Sequence, residues 1–110
     1  MKEVYIDIAQ EFSDSPSGRY IEDGAFCGAN FLNKFLLPNF NKYTKIILDF
    51  TNVLGYGSSF LEEAFGGLVR ETGMSKGEFF KHIEIKTLND PFLLEEINQY
   101  IDEAIERESK

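Results

Sequence analysis

Ser58 and Ser59 are the side chains in this 110-residue chain that are best placed for chemistry. They stand in Gly55-Tyr56-Gly57-Ser58-Ser59-Phe60-Leu61-Glu62-Glu63, directly after the apolar run Lys45–Phe50. A hydroxyl at the start of a helix can carry a phosphate, because the unpaired backbone N–H groups and the helix dipole tolerate negative charge there. The same residues also have a mechanical reading. Ser59-Phe60-Leu61-Glu62 matches a capping box, in which Ser59 accepts from the backbone and Glu62 reaches back to it. A serine N-cap contributes about 1 kcal/mol. Capping accounts for one serine, not for both, and not for the Gly55-Tyr56-Gly57 turn at the carboxyl end of a strand, where ligands of open α/β sheets gather. A nucleotide-cradling loop is excluded, since Ser59 is followed by Phe60 where such loops carry a lysine beside the Ser/Thr, and the three-glycine dinucleotide fingerprint is incomplete.

The remaining chemical inventory is thin. Arg19, in Ser15-Pro16-Ser17-Gly18-Arg19-Tyr20, is one of three arginines. Its planar fork suits a carboxylate or phosphate, and it reads equally well as a surface arginine beside a turn. The single histidine, His82, reads as an exposed strand residue, and the single cysteine, Cys27, as packing near the start of the first helix. Neither has a neighbour that would make it a nucleophile or base, and the acidic residues are scattered rather than clustered for a metal. No catalytic residue, metal or cofactor is assigned.

Composition narrows the partners. Eleven Lys+Arg against nineteen Asp+Glu give a net charge of −8 without a basic run, which disfavours nucleic acid. One cysteine forms no internal disulfide and fits a reducing compartment. The N-terminus alternates polar and apolar residues and lacks the core of a signal peptide, and no apolar run approaches the roughly 18 residues that span a bilayer. A soluble, cytoplasmic chain without membrane insertion is expected.

The elements that must position Ser58 follow from periodicity. Val4, Ile6 and Ile8 alternate as a strand, and Gly18 to Ile21 reads as a short second strand. A helix runs from about Ala25, with Phe26, Ala29, Leu32, Phe35 and Leu36 on one side, and stops at Pro38. Lys45–Phe50 reads as a strand buried on both faces. Phe60, Leu61, Ala64, Phe65, Leu68 and Val69 form the buried stripe of a second helix ending at Gly73, with Gly66-Gly67 placed for close packing. His82 to Leu88 alternates as a further strand, with Ile83 and Ile85 inward. Asp90 caps a last helix with Pro91 in its first position, Leu94, Ile97, Ile101, Ala104 and Ile105 as its stripe, and a frayed Glu-Arg-Glu-Ser-Lys end. The whole chain, 1–110, reads as one α/β domain, with any parallel crossover right-handed.

Around Ser58 the chain resembles the STAS family, the fold of anti-sigma factor antagonists. The pattern is carried by Asp49-Phe50-Thr51-Asn52-Val53, then Leu54 to Gly57, then Ser58-Ser59-Phe60-Leu61. More closely, Phe12 to Gly73 resembles bacterial STAS-like domains of unknown function, through its Gly18-Arg19-Tyr20 segment, its acidic-Gly start to the first helix and its Gly-Ser-Ser-Phe-Leu-Glu-Glu core. The resemblance implies a mixed sheet of about four strands covered by about three helices. It also implies a non-enzymatic module that binds a protein partner, of the GHKL-type kinase and anti-sigma class, through Gly55, Tyr56, Gly57, Ser58, Ser59, Phe60, Glu62 and Glu63. By position, Ser58 is the phosphorylation candidate and Asp49, Thr51 and Ser59 shape its loop. The alternative is a small-ligand or nucleotide sensor using the same loop, with Arg19 as the anion contact. If the last strand is an open edge, a homodimer through it is expected.

Overall fold

Alternating apolar residues build the first strand, β1 (Glu3–Asp7), which turns at once into a single helical turn, α1 (Ile8–Glu11), capped by the Asp7 carboxylate. The computed structural model describes residues 2–88 and 90–108. A helix α2 spans residues 28–40, followed by β2 (Lys45–Asp49) and a second long helix, α3, over residues 58–72. Then come α4 (Lys76–His82), β3 (Ile83–Lys86) and α5 (Leu93–Glu108). Among the described residues no helix is long and apolar enough to cross a membrane.

The sheet is three-stranded and wholly parallel among the described residues, in the order β1-β2-β3. This corrects the expected mixed sheet of four strands. The expected strand at Gly18 to Ile21 is instead a turn leading into one 3-10 turn, Ile21–Asp23. Gly18 sits at φ +90°, a conformation that breaks strand pairing and that glycine tolerates. The last strand is shorter than His82 to Leu88, because His82 ends α4 and pairing stops at Lys86. Ser75 and Glu78 form a reciprocal capping box that starts α4.

Register decides which side of the sheet is covered. Val4–Ile46–Ile83 and Ile6–Leu48–Ile85 form rows across the three strands on the core face. The alternate rows, Tyr5–Ile47–Glu84 and Asp7–Asp49–Lys86, lie on a face that remains accessible, with Tyr5 51% exposed. β2 is therefore buried on one face, not two. Strand order advances in one direction, and right-handed crossovers then put both connecting segments on the same side. The accessible face carries a Tyr5–Asp49 hydrogen bond and a Lys45–Glu84 ion pair at 3.1 Å.

On the covered side α3 is central, with Phe60, Leu61, Ala64, Phe65, Leu68 and Val69 all buried. Phe12 is half-buried and packs its ring 5.1–6.0 Å from Phe26, Phe31, Phe35 and Phe60, tying the first loop to both helices. α2 begins at Gly28, three residues later than the apolar spacing implies, and continues past Pro38 to Phe40. Pro38 lacks an N–H and clashes with the carbonyl four residues back. A π-turn over Leu32–Leu36 immediately before it widens the helix, so the chain accommodates the proline instead of stopping. α3 has its own π-turn, Glu62–Gly66. α5 starts two residues after Pro91, with the Asp90 carboxylate accepting from Phe92 N–H at 3.0 Å and Leu93 N–H at 3.1 Å. Of the expected frayed end, 106–108 is helical, and Ser109 and Lys110 lie outside the described residues.

Two glycines set how closely α2 approaches α3. A β-carbon on Gly28 would stand 2.6 Å from the Phe60 carbonyl oxygen and 2.7 Å from Glu63 Cβ, and one on Gly67 would stand 2.8 Å from Leu32 Cδ2. Close packing against the neighbouring helix, expected for the Gly66-Gly67 pair, holds for Gly67. Gly66 faces only the ends of the Glu62 and Arg70 side chains, at 3.0 Å. Gly28→Ala is expected to destabilise by about 1–3 kcal/mol, because backbone must move. Gly66→Ala should stay within about 1 kcal/mol of wild type, since improved helix propensity offsets a shift of flexible side chains. Urea titration of the two variants measures both, and equal losses would contradict the packing described.

Candidate functional site

Ser58 lies at the first position of α3, where the loop from β2 ends. Asp49 closes β2 and fixes the start of that loop. Its Oδ1 accepts from Thr51 N–H at 2.8 Å while Oδ2 accepts from the Tyr5 hydroxyl. The loop is stitched to the segment before α2 by Leu54 N–H to Asp14 C=O at 2.8 Å and Gly57 N–H to Pro16 C=O at 3.0 Å. That segment continues into α2 through Gly28 N–H to Gly18 C=O and Ala29 N–H to Arg19 C=O. Arg19 and Ser58 are thereby held as parts of one surface, although 39 positions separate them in the chain.

The expected capping box is not formed. Gly57, in extended backbone at φ −88° and ψ 146°, occupies the N-cap position of α3, so the helix starts too early, at Ser58, for Ser59 to cap it. Both serines are exposed. Ser58 instead donates from its hydroxyl to Glu96 Oε2 on α5 at 3.0 Å, and the Tyr100 hydroxyl donates to the same oxygen at 2.9 Å. Burial raises the Tyr100 pKa, the Ser58 hydrogen bond opposes that rise, and the neighbouring Glu96 carboxylate reinforces it.

Glu62 is drawn into an ion network. Arg19 pairs with Glu62 and lies 3.5 Å from Glu63, while Arg70 reaches Glu62 at 2.7 Å and Glu63 at 3.4 Å. The carboxylate side chains are only 13% and 15% exposed, and Gly66 beneath them leaves the space in which the Glu62–Arg70 bridge lies. Arg19 thus meets anions, and those anions belong to its own chain. Phe60, expected on the docking surface, is wholly buried and stacks in the phenylalanine cluster, so its side chain is core.

A cleft of about 450 Å³ opens over this region, lined by Arg19, Tyr20, Ser58, Ser59, Glu62, Tyr100, Glu103 and Arg107. Its far wall went unread in the sequence. Glu96, Tyr100, Glu103 and Arg107 recur at helical spacing along one side of α5, a polar stripe overshadowed by the apolar one beside it. A smaller cavity of about 230 Å³ sits at the carboxyl end of β2 and β3, lined by Phe50, Thr51, Val53, Leu54, Tyr56, Thr87, Asp90 and Leu93. Tyr56 donates to Asp90 there. Burial first, and then the Asp90 hydrogen bond, push the Tyr56 pKa well up. The Tyr56 hydroxyl holds the Asp90 carboxyl below its ordinary value. Tyr56 therefore joins the Ser58 loop to the start of α5.

Two results are expected from these contacts. Ser58→Ala and Ser59→Ala should each cost no more than about 0.5 kcal/mol in urea denaturation, since neither hydroxyl caps the helix; a loss near 1 kcal/mol for Ser59→Ala would restore the capping box. Tyr56→Phe should cost about 1 kcal/mol at neutral pH, at the low end for a charge-assisted bond because water reaches Asp90. The Asp90 contribution is present above its unfolded pKa of 3.8 and disappears as pH falls through the lower folded value. The cost of Tyr56→Phe should therefore shrink in that acid range, and a cost independent of pH would separate the two groups.

No curated protein and no solved structure matches the chain. The family described as a STAS-like domain of unknown function (DUF4325) matches residues 28–92, from the start of α2 through β2, the Ser58 loop, α3 and β3 to the turn before α5. The matched segment takes in Ser58, the loop that presents it and the Glu62–Glu63 pair, and covers more than half of the sequence. The chain belongs to this STAS-like family.

Proposed function

We propose that the chain is a non-catalytic STAS-like interaction module that resembles anti-sigma factor antagonists. It binds a protein partner of the GHKL-type ATPase class through Gly55 to Ser59 and the exposed parts of α3, and phosphorylation of Ser58 switches that binding. The observation that carries this reading is the position of the Ser58 hydroxyl, which is exposed, free of any capping duty, and hydrogen-bonded to Glu96 on a different helix. Phosphoryl transfer would form a bond from Ser58 Oγ to the γ-phosphorus of ATP and break the bond to ADP. The serine proton is released and the Ser58–Glu96 hydrogen bond is lost. A group of about −1.5 to −2 charge then stands against a carboxylate on α5, while Arg19 and Arg107 supply cations in the same cleft. The helix start tolerates the charge, so the fold persists while the surface offered to the partner changes.

The cleft also supports a second reading, a sensor of a small anionic ligand. Its volume of about 450 Å³ falls in the range of small-molecule sites, and its walls carry two arginines and two tyrosines.

The deciding experiment compares wild type, Ser58→Ala and Ser58→Glu as immobilised baits in extract of the native cell. An ATPase that wild type and Ser58→Ala retain and Ser58→Glu releases is expected. That ATPase, with ATP, should add one phosphoryl group at Ser58 and none to Ser58→Ala, as read by tandem mass spectrometry. Equal retention by all three baits would remove the switch. Thermal stabilisation by ATP, GTP or inorganic phosphate, lost in Arg19→Ala, would favour the sensor.

A further inference from the structure

β3 is an edge strand, and its unpaired backbone groups can be assigned residue by residue. Phe50 N–H donates to Lys86 C=O at 2.8 Å, so the main-chain groups of Lys86, and of Glu84 two residues before, face β2. Backbone direction alternates along a strand. The N–H and C=O of Ile85, the C=O of Ile83 and the N–H of Thr87 therefore face away from the sheet. Ile83 N–H is satisfied by Phe79 C=O, and no bond within the sheet uses the others. Ile85 itself is a core-face residue left half-buried at this margin.

We infer that β3 pairs antiparallel with β3 of a second copy of this chain, about a two-fold axis at Ile85, to make one continuous sheet. With Ile85 opposite Ile85, each copy donates Ile85 N–H to the other's Ile85 C=O, and Thr87 N–H meets Ile83 C=O in both directions. Glu84 then stands opposite Lys86 as a pair without main-chain bonds between them, the geometry that brings side chains closest. The two-fold repeats that pair. The half-buried Ile85 side chains meet across the seam on the core side. Charge fixes the register, because a slip by two residues sets Glu84 against Glu84 or Lys86 against Lys86, and like charges directly opposite are unfavourable. The other edge lacks this self-complementarity. β1 presents Glu3, Tyr5 and Asp7 outward, and its overlapped self-pairing sets Glu3 against Asp7, with Asp7 N–H already bound to Glu11. A parallel sheet with one uncovered face and two open edges is an incomplete arrangement, and self-pairing at β3 closes one edge. Isologous contact of this kind terminates at two copies. No residue of the Ser58 cleft takes part.

Light scattering and sedimentation of the intact chain, from low micromolar to near-millimolar concentration, should show the mass rising from 12.6 kDa toward twice that value. A monomer throughout overturns the inference. Glu84→Lys and Lys86→Glu should each weaken association by about tenfold or more, and the double reversal should restore it. Association unaffected by single reversals, or not restored by the double, also overturns it. Ile85→Pro removes an outward N–H and part of a half-buried side chain, and should give a folded monomer. Oxidising a mixture of Glu84→Cys and Lys86→Cys chains should yield a disulfide-linked heterodimer that neither chain yields alone, since the opposed Cα atoms fall within disulfide range and native Cys27 is wholly buried. Equal crosslinking of Glu84→Cys with itself would place the contact elsewhere.

Discussion

The approach of α2 to α3 through Gly28 and Gly67 is the constraint on which the site depends. Neither position has room for a β-carbon, because backbone of the facing helix lies on one side and Leu32 on the other. With the helices this close, the segment before α2 lies against the loop before α3, and Arg19 comes within reach of Glu62. The phenylalanines around Phe12 fill the space between, and interior packing tolerates little change in such spacing. A wider separation would leave the Glu62–Glu63 pair without one of its arginines.

Around that contact, charge is sorted. Glu62 and Glu63 are neutralised by Arg19 and Arg70 and partly withdrawn from water, which makes them part of the scaffold rather than of the outer surface. Ser58 remains outside the network, joined to α5 through Glu96 and Tyr100. A charge added at Ser58 therefore acts first on the α3–α5 junction, whereas the ion network behind it holds the helix in place. The two π-turns lie in the facing stretches of α2 and α3, and the one in α3 contains both acidic residues. π-turns often accompany functional sites.

The sheet carries a different consequence of topology. Strands added in one direction by crossovers of one hand gather every long helix on one side. The other side is left to Tyr5, Asp49, Lys45 and Glu84, which satisfy one another in hydrogen bonds and ion pairs. Such a sheet is stable on one covered face and still presents edges. The two edges differ in charge pattern, acidic on β1 and mixed on β3, and that difference gives them different capacities for pairing.

Sequence alone determined the α/β class, the strand character of Lys45–Asp49, the stripe of α3, the Gly73 stop and the family, because each is written in local periodicity or in a contiguous motif. Asp49 and Thr51, which the family resemblance groups together, are joined by a backbone-to-carboxylate hydrogen bond across two residues. Other features were settled only in three dimensions. Ser59 and Glu62 have capping-box spacing, but a helix start is chosen by where the loop can meet Pro16, and that contact moved the cap to Gly57. Phe60 belongs to the motif by sequence and to the core by packing. α4 left no clear signal because a helix of seven residues offers too few turns to show its period. The Ser58–Glu96 bond joins residues 38 apart, and no local pattern encodes which polar stripe of α5 will face α3. Local chemistry wrote the elements, while long-range packing decided which of their side chains meet.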